Sequence, residues 1–265
     1  MNLNFLAYDQ QGAVARVWLN RPELRNAQSR ELLQELDDVL QVVARDESVN
    51  VVVLAGKGDH FSAGHDLKQG QRERSNFTVE QRWEYEDRYY FDYCLRVWDM
   101  PKPVIAQVQG ACVAGGFMLA NMCDLIVASE DAFFSDPVCA TFGTAATEVL
   151  MHPWVLGTRR AKEFLYTGMR MPAKQAWEMG MVNRVVPRAE LEERTMELAQ
   201  QIAGAPPFAI RLTKRSINRA ADMQGFRTSL QAHFDTHQLS HNSLEFARVR
   251  DAGMSNVIAA NKARK

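Results

Sequence analysis

Cysteine is scarce: four in 265 residues, at Cys94, Cys112, Cys123 and Cys139. No two form a Cys-x-x-Cys pair, so neither a zinc ribbon nor a dithiol redox motif is spelled out. All four sit among apolar residues and read as buried, reduced thiols of a cytoplasmic protein. An excess of one charge is missing too, with 31 Lys+Arg against 32 Asp+Glu and a formal net charge of −1. Phosphate-backbone binding runs on clustered positive charge, so this balance argues against nucleic acid as the main partner. Long apolar runs are absent. The most apolar stretch, 104–120, is cut by Gln107, Gln109 and three glycines. A spanning helix needs about 20 mostly apolar residues, so no membrane partner is expected. The opening MNLNFLAYDQ has no basic start and no long apolar run, so no signal peptide is expected. The 46% hydrophobic content excludes disorder. A chain this long buries about three quarters of its unfolded surface and needs no covalent staple.

What is present alternates between strand and helix patterns. Residues 14–19 form a mixed apolar run closed by the turn Asn20-Arg21-Pro22. Leu32, Leu33, Leu36, Val39, Leu40 and Val43 fall on one face of a helix over 29–44. Residues 51–55 are wholly apolar and β-branched, as suits a strand covered on both faces. Residues 71–99 turn aromatic-rich and read mostly as helix until Pro101 and Pro103. Strands follow at 104–108 and 125–128, with a helix starting near Gly115 between them. This order predicts right-handed βαβ units and a mainly parallel sheet. Helices are expected at 147–156, 159–166, 173–179 and 189–203. Ala205-Pro206-Pro207 marks the best boundary, dividing a 1–204 core from a helical 205–265 tail with one long helix to about His241.

Two small-residue turns carry the strongest chemical signal. Phe61-Ser62-Ala63-Gly64-His65-Asp66-Leu67 follows the 51–55 strand, and Gln109-Gly110-Ala111-Cys112-Val113-Ala114-Gly115-Gly116 follows the 104–108 strand. Ligands in open α/β sheets bind outside the carboxyl ends of the strands. A helix starting at Gly115 presents free N–H groups, and two backbone donors aimed at one carbonyl oxygen form an oxyanion hole. Either turn alone is also compatible with mere packing.

The two together, in order with other motifs, identify a resemblance. The chain resembles the crotonase (enoyl-CoA hydratase/isomerase) superfamily over nearly its whole length. The matching stretches include Asn20-Arg21-Pro22-Glu23 with Asn26-Ala27, Cys123-Asp124-Leu125, Gly157-Thr158-Arg159-Arg160-Ala161, Thr167-Gly168 and Ala176 with Gly180-Met181-Val182. The resemblance implies an α/β crotonase-like ββα spiral core with a C-terminal helical region for trimerisation or lid contacts. It implies an acyl-CoA thioester substrate, coenzyme A arriving as part of that substrate, and no separate cofactor or metal. It also implies self-association as a homotrimer or hexamer. By the family pattern the oxyanion donors are the backbone N–H groups of His65 and Gly115. The segments around Leu24, Arg25 and Ala27, and around Ala63, Asp66, Leu67 and Lys68, would line the CoA path, with Lys214 reaching a CoA phosphate. Asp66 also suits a turn-positioning role.

One part of the pattern is broken. The two glutamates with which hydratases of this family manage water fall at Met118 and Val138, and neither side chain can move a proton. Glu148 is the first candidate to replace them, near the start of the expected 147–156 helix; a semi-apolar pocket would raise its pKa toward neutrality. Asp136, before Pro137, is the second. The imidazole of His65 is a third, titrating near pH 6.5 if unperturbed. His152 is a fourth and reads as structural. Tyr89, Tyr90, Phe91 and Tyr93 either cap the acyl pocket or pack the core. His233, His237 and His241 repeat every four residues, a spacing that could bind metal. No carboxylate or cysteine pattern accompanies them, so they read as a subunit or lid contact. The expected activity is hydration or isomerisation of an enoyl-CoA through a stabilised thioester enolate. Ring opening or dehalogenation of a cyclic or aromatic acyl-CoA, and CoA-thioester binding without chemistry, are the alternatives.

Overall fold

A computed structural model describes residues 3–263; the two residues at each end of the chain, within the expected opening and tail segments, lie outside that range. Among the described residues nine strands build two sheets. They are β1 (Leu6–Gln11), β2 (Val14–Leu19), β3 (Val51–Gly56), β4 (Val104–Val108), β5 (Ala111–Val113), β6 (Leu125–Ser129), β7 (Phe133–Ser135), β8 (Met171–Pro172) and β9 (Arg184–Val186). The larger sheet runs β1-β2-β3-β4-β6-β9, and the smaller runs β5-β7-β8. Only the β1–β2 and β7–β8 pairs are antiparallel. The expected α/β architecture is therefore present.

The helices are α1 (Arg30–Arg45), α2 (Leu67–Arg74), α3 (Val79–Glu86), α4 (Tyr93–Asp99), α5 (Gly115–Met122), α6 (Val138–Phe142) and α7 (His152–Leu156). The chain continues through α8 (Thr158–Thr167), α9 (Ala173–Glu178), α10 (Leu191–Ala203), α11 (Pro207–Met223), α12 (Phe226–Ser240), α13 (Leu244–Ala252) and α14 (Met254–Ala263). The Ser29 hydroxyl caps α1 by accepting from the Leu32 N–H, and all six expected apolar residues of that helix are buried. In β3 the side chains alternate between two hydrophobic clusters. Val51 and Val53 pack with Leu191, Met196 and Ala199 of α10, while Val52 and Leu54 join the main core. Both faces of the strand are covered, which is why its sequence is a continuous apolar run.

Four expectations need correction. Residues 143–151 are irregular, and only His152–Leu156 is helical in the stretch expected to be helix from 147. Gly143 (φ +75°) and Ala146 (φ +52°) turn the backbone out of helix there. The stretch expected as one long helix to about His241 is two, broken at Gly225 (φ +97°). Phe226, Leu230 and Phe234 of the second pack in the same core as the strands. Three cysteines are buried as expected, but Cys139 on α6 is exposed. Finally, the ammonium of Lys214 is buried on α11, 2.7 Å from Asp124 Oδ2 and 3.1 Å from the Lys102 carbonyl oxygen. Those partners precede β6 and β4, so the lysine lies at the amino ends of the strands. The two glycine-rich turns lie at the carboxyl ends, and within one chain Lys214 is turned away from them.

Candidate active site

The two turns meet because backbone bonds stitch them to each other and to residues 25–28. The Val113 N–H donates to the Ser62 carbonyl, and the Ser62 N–H to that of Ala111. On the other side, the Ala63 N–H donates to the Arg25 carbonyl, the Gln28 N–H to that of Gly64 and the Asp66 N–H to that of Gln28. Buried Asn26 anchors the outer segment, its amide donating to the carbonyls of Lys57 and His60 at 2.9 and 2.8 Å. Among the described residues neither the His65 N–H nor the Gly115 N–H donates to another backbone carbonyl. Gly115 opens α5, so its N–H has no partner within the helix. Ala114, just before it, holds φ +48° and ψ −113°. An alanine gains nothing locally from that conformation and is strained in it.

A cleft of about 130 Å³ opens beside these groups. Ala63, His65, Val113 and Ala114 line one end. Pro137, Val138, Thr144 and residues 146–148 form one wall, and α12, α13 and α14 close the far side with His237, Phe246, Met254 and Val257. Leu67 also faces it. Leu24, Arg25 and Lys68 are exposed, and with half-buried Ala27 they lie outside the cleft. The carboxylate of Asp66 caps α2 by accepting from the Gln69 N–H at 3.0 Å and meets the Arg21 guanidinium at 3.2 Å. It therefore shapes the turn, the alternative role open to it from sequence.

Glu148 lies in the cleft wall and is buried. Its Oε2 is 3.3 Å from His65 Nε2 and its Oε1 is 3.6 Å from His237 Nε2. Burial pushes its carboxyl pKa up, but His65 and His237 outweigh that and hold it below the usual carboxylate range. The expected shift toward neutrality is thus reversed, because the pocket is not apolar where Glu148 sits. The imidazole of His65 stacks on Tyr90 with ring centroids 3.6 Å apart. It also fills the space above Gly115, where a Cβ would come within 2.7 Å of His65 Cε1 and of Gln28 Oε1.

Asp136 plays a different part. It is fully buried and does not line the cleft. Its carboxylate accepts from the Val138 and Thr147 N–H groups, both at 3.1 Å, and lies 3.2 Å from His152 Nε2. Burial pushes its pKa up, yet His152 and these amides hold it below the ordinary value. It is the peg on which the irregular 143–151 segment hangs, and so it positions Glu148 without facing the cleft. His152 is structural, stacked on Phe117 at 4.6 Å.

Glu86, at the end of α3, escaped notice in the sequence. It is buried in the cleft wall, 3.5 Å from His237 Nε2 and 3.8 Å from His241 Nδ1. Its Oε2 accepts from the Gln238 amide at 2.7 Å, and Arg82 lies 3.5 Å from Oε1. Burial pushes its pKa up, but His241, His237 and Arg82 prevail and keep it ionised. The histidine stripe therefore does have a carboxylate partner, supplied by a helix far away in sequence. The stripe packs on its own chain: His233 Nε2 and His237 Nδ1 reach the carbonyls of Thr147 and Ala145. Glu86, His237 and His241 each bring one ligand atom within 4.8 Å of the others, a set able to hold a cation. A six-residue π-helical stretch, Asp87–Asp92, follows Glu86 and turns Tyr90 onto His65. Such stretches are frequent at functional sites, and the aromatic run in the sequence concealed it.

The fold and this constellation agree with comparisons to known proteins. The family model described as enoyl-CoA hydratase/isomerase matches residues 9–254. EchA13 of Mycobacterium tuberculosis is 41% identical over 247 residues, 87% of this chain and 78% of its own. A probable enoyl-CoA hydratase from Mycobacterium smegmatis has a crystal structure 48% identical to this chain, with a TM-score of 0.86 over 90% of this chain and 95% of that one. An enoyl-CoA hydratase/isomerase from Xanthobacter autotrophicus Py2 reaches a TM-score of 0.92 at 35% identity, over 100% and 99% of the two chains. Its sequence motifs, its two sheets and a match over nearly its whole length make this chain an enzyme of the enoyl-CoA hydratase/isomerase, or crotonase, family.

Proposed function

We propose that this chain hydrates an enoyl-CoA or shifts its double bond, with Glu148 as the base. In this reading the His65 and Gly115 N–H groups receive the thioester oxygen as it becomes an enolate. Both donors lack another backbone acceptor among the described residues; His65 lines the cleft that Glu148 faces, and Gly115 follows Ala114, which also lines it. The observation that carries the reading is the 3.3 Å contact between Glu148 and the side chain of His65, whose own N–H is one of the donors. It ties an ionised, buried carboxylate to the same turn as the oxyanion donors. Met118 and Val138 then need no proton-handling role: Met118 is core, and Val138 is an apolar part of the wall. The exposed residues Leu24, Arg25 and Lys68, with half-buried Ala27, are the proposed track for the CoA moiety, entering beside Ala63.

The test is hydration of crotonyl-CoA, followed by loss of the conjugated thioester absorbance, in wild type and Glu148→Gln. General acid–base catalysis is worth about 10²–10⁴-fold, so the substitution should cost kcat that much with little change in KM. Wild type that binds crotonyl-CoA without turning it over would overturn the hydratase reading for small substrates. Undiminished turnover in Glu148→Gln would place the base elsewhere.

A further inference from the structure

A buried arginine without a counter-ion lines the cleft. Arg74, in the last turn of α2, is only 8% exposed and lies in the cleft wall beside Tyr90. Its Nη1 donates to the Tyr85 hydroxyl at 2.9 Å and its Nη2 to that of Tyr90 at 3.0 Å. The guanidinium also sits over the Tyr85 ring, 4.3 Å from its centroid. Among the described residues no carboxylate pairs with it. Glu86 and Glu73 act on it only through space. Arg82 engages Glu86 at 3.5 Å, and Arg30 engages Glu73 at 4.0 Å. A guanidinium has five N–H donors, and the two phenol oxygens take two of them. The others, Nε–H included, have no acceptor among the described residues, and Nε is not sealed from solvent. Arg82 and Arg250 also line the cleft, but each has an acid of its own. Burying a charge is costly unless it is paired, and phenols supply hydrogen bonds without the opposite charge.

We infer that the missing counter-ion arrives with the substrate: a carboxylate at the far end of the acyl chain. The preferred thioesters are then those of dicarboxylic acids, bound at that end by Arg74 with Tyr85 and Tyr90. This rests on the acyl-CoA site proposed above and adds what its acyl group carries.

The placement of Arg74 fits that role. Helix α2 starts at Leu67, directly after the oxyanion turn. Long side chains on a helix lean toward its amino end, and the Arg74 guanidinium folds back over Gly70. A Cβ on Gly70 would stand 2.7 Å from Nη2. Glycine inside a helix costs stability, and close approach of the guanidinium is what its missing side chain allows. Gly70 lies about 5 Å of helical rise beyond Leu67. Tyr90 spans the same interval: its hydroxyl holds Arg74, and its ring stacks on His65, whose N–H is a proposed oxyanion donor. One tyrosine thus separates the thioester end of the site from the guanidinium, the reach of a short acyl chain. Phosphates of CoA carry negative charge too, but the proposed CoA track at Leu24, Arg25 and Lys68 lies outside the cleft.

The test is calorimetric binding of saturated thioesters, which read the site without turnover. Glutaryl-, adipyl- and suberyl-CoA are compared with pentanoyl-, hexanoyl- and octanoyl-CoA. At least one carboxylated thioester should bind wild type about tenfold or more tighter than its methyl-ended counterpart, the worth of a charge-assisted hydrogen bond. In Arg74→Met that ratio should fall to about one. Gly70→Ala should lower it as well, and there only the far end of the Arg74 side chain has to move, so the fold is kept. Wild type that binds both series alike would overturn the inference alone. A preference that survives Arg74→Met would take the carboxylate away from Arg74. Equal weakening of both series and of free CoA in Arg74→Met would put the guanidinium on a CoA phosphate and overturn it too. Wild type that binds neither series would overturn the acyl-CoA site along with it, whereas crotonyl-CoA bound without turnover bears on the hydratase reading only.

Discussion

Replacing Gly115 by alanine tests whether the His65 imidazole is packed as described. The added Cβ would stand 2.7 Å from both His65 Cε1 and Gln28 Oε1, where ordinary contacts begin near 3.4 Å. Each neighbour must therefore give by about 0.7 Å. The His65 ring has nowhere to go without leaving its 3.6 Å stack on Tyr90 and its 3.3 Å contact with Glu148. The stack is worth about 0.5–1.5 kcal/mol and the charged contact about 1.5–3 kcal/mol. Alanine returns up to about 1 kcal/mol of helix propensity at the start of α5. The net cost is about 2 kcal/mol, or about 4–8 °C in melting temperature for a chain of this size. Turnover should fall about 100-fold, the usual penalty for misplacing groups by an ångström. Circular dichroism melts and crotonyl-CoA kinetics read both effects. In a His65→Ala background the same substitution should cost less, because only Gln28 remains to clash. A Gly115→Ala protein that melts and turns over like wild type would refute the packing and the role drawn from it.

Three further outcomes follow from the same contacts. Ala114→Gly should raise the melting temperature despite the usual entropic cost of glycine, because it relieves a backbone at φ +48° and ψ −113° worth about 1–3 kcal/mol of strain. Lys214→Met leaves half-buried Asp124 without its ammonium, so unfolding experiments should show a loss of about 1–3 kcal/mol. KM for acyl-CoA should not change, whereas a lysine on CoA phosphate would raise it. His237 has a folded-state pKa of about 9, above its unfolded value near 6.5. Its contribution is thus complete below pH 6.5 and lost as pH rises through 9, amounting to about 3 kcal/mol. The melting temperature should fall over that window in wild type, and His237→Asn should flatten the fall.

The regular elements were legible because their periodicity is set by burial. The α1 face and the β3 and β4 runs are written in the apolar residues that the core demands. The oxyanion turns were legible because close backbone approach needs small residues, and Gly115 has His65 and Gln28 pressed against it. The irregular 143–151 segment was not, because what stops it being helix is tertiary: the buried Asp136 carboxylate takes the Thr147 N–H. The sense of the Glu148 shift was missed for a related reason. Burial alone raises a carboxyl pKa, and the histidines that reverse it come from a turn 83 residues earlier and a helix 89 residues later. Glu86 lay among tyrosines in a run that reads as packing. The signal pointing to it was indirect: histidines four apart share one helix face, and Asp235, two residues from its neighbours, does not share that face with them.

The most direct measurement of the central claim is binding of acetoacetyl-CoA, followed by its near-ultraviolet enolate absorbance. This acidic thioester reports enolate stabilisation without needing turnover. An enolate band that appears on binding to wild type, and is much weaker in Glu148→Gln and Gly115→Ala at matched occupancy by calorimetry, is the predicted result. Tight binding with no enolate band in wild type would contradict the account.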